Sequence, residues 1–214
     1  MKSKIGKVVI LILLTLGAAL FSYQLIKCAG YVFRRFNHYY WFFGGGVAYY
    51  LVVCLLQRKN LDFFQTWVHE FLHTVMCVVF FHRIELFQAS AKKGGVVYHY
   101  GGPNMFISLA PYTFPFFTYS LLLVALIIPR RLRWFALFIG FSFFLHMHAI
   151  IKQTHPGQSD LTQNGLLLSY AFIITFLCMN ICICFYGVDL GLWKGIQYFF
   201  GESWDIVYNI IKSI

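Results

Sequence analysis

The chain has 214 residues, of which 60% are hydrophobic, 21% are aromatic and only 11% are charged. This composition excludes a soluble domain with a large core and predicts an all-α polytopic membrane protein. A net charge of +10 raises the question of nucleic acid. The basic residues, however, lie in short connectors between apolar runs, where anionic lipid headgroups explain them better. We therefore expect a lipid bilayer, and no nucleic acid, as a partner.

Six apolar segments predict about six transmembrane helices. In chain order they are Val8 to Ile26, Tyr40 to Leu56, Phe63 to Phe81, Met105 to Ile128, Trp134 to Ile151 and Leu166 to Tyr186. Three consecutive glycines, Gly44 to Gly46, would let a neighbouring helix approach the second segment closely. Pro111 and Pro115 predict a kink in the fourth segment.

Two further elements are predicted outside these spans. Ile84 to Ser90 and Val96 to Tyr100 are short runs that favour β-structure, and the glycines and lysines between them predict a small β-hairpin. Residues 190–214 show helical spacing of apolar side chains, which predicts an amphipathic helix at the membrane interface. A helix that binds a partner protein is the alternative. No second domain is indicated, so we treat residues 1–214 as one membrane-embedded domain.

The third segment contains the sequence His69-Glu70-Phe71-Leu72-His73. On a helix, two histidines four residues apart lie on the same face and can share one zinc ion. The glutamate between them is then close enough to act as a general base on water. These polar side chains are costly inside an apolar segment, which favours a functional role. The alternative is a pair of buried histidines that bond to Glu70 or to each other.

Catalytic zinc usually has three protein ligands, so a third is expected elsewhere in the chain. Asp160 lies in a polar stretch, Gln153 to Asn164, between the fifth and sixth segments. Such a stretch is tolerated near a membrane if it lines an internal cavity. From there Asp160 would reach the metal at the start of the last span. His155 is the nearest rival ligand, and a solvated or helix-capping Asp160 is the other alternative.

On these residues the chain resembles the site-2 protease family, the intramembrane zinc metalloproteases. The resemblance covers a core of about residues 63–186 and leaves out the N-terminal spans, 8–56, and the tail, 190–214. It implies zinc held by His69, His73 and Asp160, with Glu70 as the catalytic residue. The hairpin after the motif and the turn at Gly102-Pro103 are also similar to the family pattern. The implied substrate is a membrane-anchored polypeptide.

The chain departs from the family in two ways. No asparagine precedes Asp160 in its polar stretch, so the group that stabilises the transition state would be another one, with Gln153, Gln163 and Asn164 as candidates. Two apolar segments, rather than one, separate the motif from Asp160. Either one of these segments is re-entrant, or the connector dips deeply, or the site differs from the family pattern.

An unwound substrate could pair with an edge of the hairpin through main-chain hydrogen bonds. We therefore assign substrate binding to Val96, Val97, Tyr98 and Asn104. The expected function is hydrolysis of peptide bonds within the membrane, in a bacterial inner (cytoplasmic) membrane. One alternative is a non-catalytic subunit or scaffold that binds membrane proteins through its aromatic spans or tail. The other is a transporter that conducts ions or protons through its buried histidines and glutamate.

Overall fold

The structure is a computed structural model that describes residues 4–56, 58–90, 94–128 and 133–213. It is mostly helical with one small sheet. The α-helices are α1 (Lys4–Arg34), α2 (Phe36–Leu55), α3 (Arg58–Val79), α4 (Met105–Leu109), α5 (Phe116–Val124), α6 (Ala136–Gln153), α7 (Ser159–Thr162), α8 (Leu166–Leu190) and α9 (Leu192–Ser213). The strands are β1 (Arg83–Ser90) and β2 (Gly94–Tyr100).

Within the described ranges, α1, α6 and α8 are long and apolar enough to cross a membrane, and the bent pair α4–α5 would be a fourth span. The prediction of six spans is therefore not confirmed. The second and third predicted spans are helical, as α2 and α3, but they carry more polar residues. Asn37 and His38 open α2, and α3 contains Asp62 and Gln65 besides its histidines.

The fourth predicted span is broken where the prolines are. A short 3₁₀ turn, Ala110–Tyr112, follows α4. The helical axis bends by 77° between Met105–Tyr112 and α5. Proline lacks the N–H that would continue a helix, so backbone carbonyls lose their partners at the break. Within the break, the carbonyl of Thr113 accepts a hydrogen bond of 2.9 Å from the Asn180 side chain. The predicted kink is present and is stabilised by α8.

Glycines set the contact between α2 and α6. A Cβ added to Gly45 would lie 2.0 Å from the carbonyl oxygen of Leu137, and one added to Gly140 would lie 1.9 Å from that of Phe42. The backbones of the two helices therefore touch at this point. Gly44 has no described atom within 4 Å of such a Cβ. The predicted close approach is real, but it depends on Gly45 and its neighbour Gly46, not on Gly44.

Helix α8 connects the N-terminal and C-terminal helices. Along α1 it makes a bond of 2.8 Å between Thr175 and the Leu14 carbonyl, and one of 2.5 Å between Tyr31 and Asp189. After Gly191 the chain reverses into α9, whose Phe199 ring packs on that of Phe21 with centroids 5.1 Å apart. The amphipathic tail is therefore helical, as predicted, and part of it packs on the bundle.

The two strands form the predicted hairpin. They are antiparallel, with Phe87 opposite Val97 and Ser90 opposite Gly94, and a bulge lies between Ile84 and Leu86. Residues 91–93, which we predicted as part of the turn, lie outside the described residues. The hairpin packs on α3, and it therefore lies over the helix that carries the histidine motif.

Candidate metal site and its cleft

Helix α3 places the motif as expected. His69, Glu70 and His73 are all buried, with 6–8% of each residue exposed. The two imidazole rings lie 4.8 Å apart between centroids. The rings meet edge to face, as side chains four residues apart on one helix face can.

Asp160 reaches the same point from a distant part of the sequence. Its Oδ2 lies 3.1 Å from Nε2 of His69 and 3.4 Å from Nε2 of His73. It lies on the single turn α7 and not, as expected, at the start of the last long helix. Asn164 donates to its backbone carbonyl at 3.0 Å, and the Tyr112 hydroxyl donates to its Oδ2 at 3.1 Å.

The path of the chain explains how two intervening segments still bring Asp160 back. At the end of α5, Leu122 is next to Gly187, close to the far end of α8. Helix α6 then returns and ends at Gln153, which is bonded to His69. Because the hairpin has already brought α4 to the site, the chain leaves along α5 and returns along α6. The segment formed by α5 and α6 therefore begins and ends near the candidate metal site. It can do so because the pair α4–α5 is bent, so that α4 stays at the site while α5 leads away from it.

Hydrogen bonds fix which ring nitrogens face Asp160. Nδ1 of His73 lies 2.8 Å from the Ile107 carbonyl, so it must be the donor. Gln153 donates its Nε2–H to the Gln65 carbonyl at 3.3 Å, which leaves its Oε1 to accept from Nδ1 of His69 at 2.8 Å. In neutral rings both Nε2 atoms are then unprotonated. Two lone pairs therefore face a carboxylate oxygen in a buried place.

A shared cation would remove the repulsion among these lone pairs. His69, His73 and Asp160 each offer one ligand atom, and these atoms lie within 4.8 Å of one another. Tetrahedral zinc with bonds of about 2.0–2.1 Å places neighbouring ligand atoms about 3.4 Å apart. The observed 3.1 and 3.4 Å agree with that spacing. The rival ligand His155 is not in this group, and it is exposed.

The protonation state of Asp160 also suits a ligand. Burial raises the pKa of this carboxyl, but the hydrogen bonds and positive charge that protonated His69 and His73 supply in the absence of a metal outweigh burial and hold the pKa well below its usual range. Asp160 is therefore ionised at neutral pH. A carboxylate, rather than a carboxylic acid, is the form that coordinates a metal ion.

A cleft of about 420 Å³ opens over these residues. The hairpin forms one wall, through Gly95, Val97 and His99, which alternate along β2 as residues on one strand face do, and through Val96. A Cβ added to Gly95 would lie 2.3 Å from Cγ of Glu70, so this strand lies directly on the glutamate.

Three of the four predicted substrate-binding residues line this cleft, namely Val96, Val97 and Asn104. Tyr98 does not. Its side chain is on the other strand face from Gly95 and Val97, and the residue is 55% exposed.

The sequence pattern of the Peptidase M50B-like family matches residues 45–201. The match covers well over half of the 214 residues. The chain belongs to this family. It is the site-2 protease family that the motif indicated, and its members are generally zinc-dependent. No curated protein and no solved structure matched the chain.

The family match extends beyond the expected core, from the glycines of α2 into α9. Together with the long apolar helices, membership makes this chain a membrane protein related to peptidases. In this member of the family, sequence reasoning missed two supports of the metal site. Gln153, one of three candidates for the transition-state donor, instead accepts from His69. Tyr112 has no sequence signal, because its bond to Asp160 depends on the bend between α4 and α5.

Proposed function

We propose that this protein is a zinc-dependent intramembrane metalloprotease that hydrolyses peptide bonds of membrane-anchored polypeptides. We place it in a bacterial inner membrane. One observation carries the proposal: two imidazoles, each with its Nδ1 already committed, present Nε2 to the Asp160 carboxylate beside the buried Glu70. Two histidines with a purely structural role would need no such arrangement. A path that conducts ions or protons would need the line of polar groups to continue beyond Asp160.

A zinc ion held by His69, His73 and Asp160 would polarise a peptide carbonyl and lower the pKa of water towards neutrality. The chain's own residues perform the proton transfers. Glu70 accepts a proton from the attacking water and passes it to the departing amine. Gln153 and the Ile107 carbonyl keep both imidazoles in the tautomer that leaves Nε2 free.

The cleft constrains how a substrate reaches Glu70. A helical substrate hides its backbone carbonyls, so it must unwind before attack. An extended segment fits along β2, where main-chain groups of the strand hold it and Val96, Val97 and Asn104 line its path. Tyr98 would contact a substrate only outside the cleft.

The role of β2 is tested by removing a single N–H. Val97→Pro should lower cleavage of a reporter polypeptide that has one apolar span, while Val97→Ala, which keeps the N–H, should change it less. Successive N–H groups of a strand point to opposite edges, so only one of Val96 and Val97 can offer its N–H to a substrate, and the same comparison at Val96 identifies which. Unchanged turnover in both folded proline variants would remove β2 from substrate binding.

The central test combines metal content with cleavage in detergent. Wild-type protein should contain about one zinc per chain and cleave the reporter. Glu70→Gln should keep the zinc and lose cleavage by about 10²–10⁴-fold, and His73→Ala should lose both. Absence of zinc from purified wild type, or full cleavage by Glu70→Gln, would contradict the proposal.

For the tail we propose contact with the membrane interface. Trp193 and Trp204 of α9 are 65% and 68% exposed, although α9 packs on α1 through Phe199 and through an ion pair of 2.5 Å between Lys27 and Glu202. Tryptophan favours the boundary between lipid and water. Binding of α9 to another membrane protein is the competing arrangement. Quenching of these tryptophans by brominated lipid distinguishes the two, because a protein partner would shield them.

A further inference from the structure

The reaction proposed above needs a donor for the negative charge that develops on the peptide carbonyl oxygen, and no asparagine precedes Asp160 in its stretch to supply one. Fixed donors at such a point are among the largest contributions to catalysis. A suitable donor in the cleft is an N–H or O–H that is held in place and still free to donate.

Two of the amides suggested by the sequence are already committed. Gln153 donates to the Gln65 carbonyl and accepts from His69. Asn164 donates to Oγ of Ser108 at 2.7 Å and to the Asp160 carbonyl at 3.0 Å. Gln163 lines the cleft, but none of the described hydrogen bonds holds its side chain in place.

Asn104 is different, because one half of its amide is fixed and the other half is free. Its Oδ1 accepts the backbone N–H of Phe106 at 2.8 Å, which caps α4 and sets the plane of the amide. Among the described contacts, its Nδ2 has no partner. The residue lines the same cleft as Glu70 and His73. The capping role explains the oxygen of this side chain and leaves its two N–H groups unexplained.

The position of Asn104 relative to the metal helix is also fixed. Ile107, one helical turn further along α4, accepts the hydrogen bond from Nδ1 of His73 at 2.8 Å. Asn104 and Ile107 line the same cleft as His73, so the start of α4 lies beside the metal helix α3. A movement of α4 would break the bond that sets the His73 tautomer.

Among the described side chains of the cleft, one other is held in place with a donor to spare: His99, whose Nδ1 lies 3.0 Å from Nδ1 of His82. Only one of these two nitrogens carries a proton in a neutral pair. His99 therefore has an N–H for the cleft in one tautomer and a lone pair in the other. The free N–H groups of Asn104 do not depend on a tautomer.

The geometry points to Asn104 as the catalytic donor that stabilises the oxyanion through its Nδ2–H, in place of an asparagine next to Asp160. This inference rests on the proposed peptidase function. It assigns to one side chain both the cap of α4 and an electrostatic role in the reaction. It also gives the bend between α4 and α5 a role in the reaction, because the bend keeps α4, and with it Asn104, at the site.

Substitutions that keep the cap separate the two roles. Serine and aspartate cap a helix about as well as asparagine, but neither has an amide N–H. In Asn104→Ser, kcat for the reporter polypeptide should fall about 10²–10³-fold with little change in KM. Zinc content and unfolding temperature should stay at wild-type values. Asn104→Ala should lose the same activity and also lower the unfolding temperature, because it removes the cap.

A second measurement does not depend on turnover. A phosphinic dileucine peptide mimics the tetrahedral shape and charge of the intermediate, and its affinity for the zinc-loaded protein can be measured by calorimetry. Asn104→Ser should weaken its binding about 10–100-fold. His99→Gln, at the other held donor, should weaken this binding less than Asn104→Ser does.

The outcomes separate this inference from the function on which it rests. Wild-type protein that binds no zinc and cleaves nothing overturns both. Wild-type protein that is active, together with an Asn104→Ser variant of unchanged kcat and phosphinic affinity, overturns only the role of Asn104. A large loss in His99→Gln with none in Asn104→Ser also overturns it and transfers the role to the histidine.

Discussion

The two ends of α6 are held in opposite ways. Near its start, Gly140 lies against the Phe42 carbonyl of α2, and the contact consists of closely packed backbone with no side chain between the helices. At its end, Lys152 forms an ion pair with Asp62, and Gln153 accepts a hydrogen bond from His69. The first end has no space for an added atom, whereas the second depends on a few directed polar bonds. Stability and site geometry should therefore respond to different substitutions.

The largest effect is expected at the crossing of α2 and α6. A Cβ at position 140 would lie 1.9 Å from a backbone carbonyl oxygen that cannot move without shifting α2. Gly140→Ala should therefore cost more than the usual 1–3 kcal/mol of overpacking and lower the unfolding temperature far below that of wild type. Thermal unfolding in detergent measures this.

Gly44→Ala is the matched control, because it lies in the same glycine run of α2 and meets no described atom within 4 Å. Alanine favours a helix over glycine by about 1 kcal/mol, so this variant should be at least as stable as wild type. If the two variants unfold at the same temperature, the crossing is not as close as the structure indicates.

The next effect is expected where the hairpin meets the glutamate. In Gly95→Ala the new methyl group would overlap Glu70, whose Cγ and Oε1 lie 2.3 and 2.4 Å from it. Either the carboxylate or β2 must move, and a misplaced catalytic group can cost about 10²-fold in rate. Zinc content should not change, because no ligand is touched. Gly102→Ala is the control, since no described atom lies within 4 Å of its Cβ, and it should retain full activity.

Loss of the Gln153 bond should weaken metal binding without unfolding the protein. Gln153→Leu removes the acceptor from Nδ1 of His69, so this ring can rotate or change its tautomer. Supports of this kind contribute about 10–100-fold to metal affinity. Competition with a chelator measures the change, and Gln163→Leu, in a cleft residue that bonds to no ligand, is the control. Equal zinc affinity in the two variants would show that Gln153 does not position His69.

The sequence predicted the features whose pattern lies within a single helix or hairpin. The motif on α3 needs only helical spacing, and the hairpin needs only two β-favouring runs and a turn, so both elements were predicted. The strands were placed within two residues of their observed bounds, whereas α3 begins five residues before the predicted Phe63. Asp160 was also identified, because an acidic residue in a polar stretch between apolar segments has few other uses. The family match confirmed the family that the motif indicated.

The features that the sequence did not predict depend on contacts between residues that are far apart in the chain. The number of spans was not confirmed: of the described helices, α1, α6, α8 and the bent pair α4–α5 are long and apolar enough to cross a membrane, whereas α3 carries the polar side chains of the site. The bend at Pro111 could be anticipated, but not that it would place the Tyr112 hydroxyl on Asp160. Likewise, the sequence showed Gly95 only as part of a turn, and its contact with Glu70 appears only when β2 folds over α3.

The smallest effect is expected at Tyr112, whose hydroxyl donates to Oδ2 of Asp160 at 3.1 Å. Tyr112→Phe keeps the ring that packs against His69 and removes one hydrogen bond, worth about 1 kcal/mol, so zinc affinity should fall about five-fold. Tyr119→Phe is the control: that hydroxyl also donates to a side-chain oxygen, on Asn180, but away from the metal ligands. It should lower the unfolding temperature and leave zinc affinity unchanged. If both variants lose zinc to the same extent, the loss reflects general stability, and the polar bonds at the site would not be separable from the packing that surrounds them.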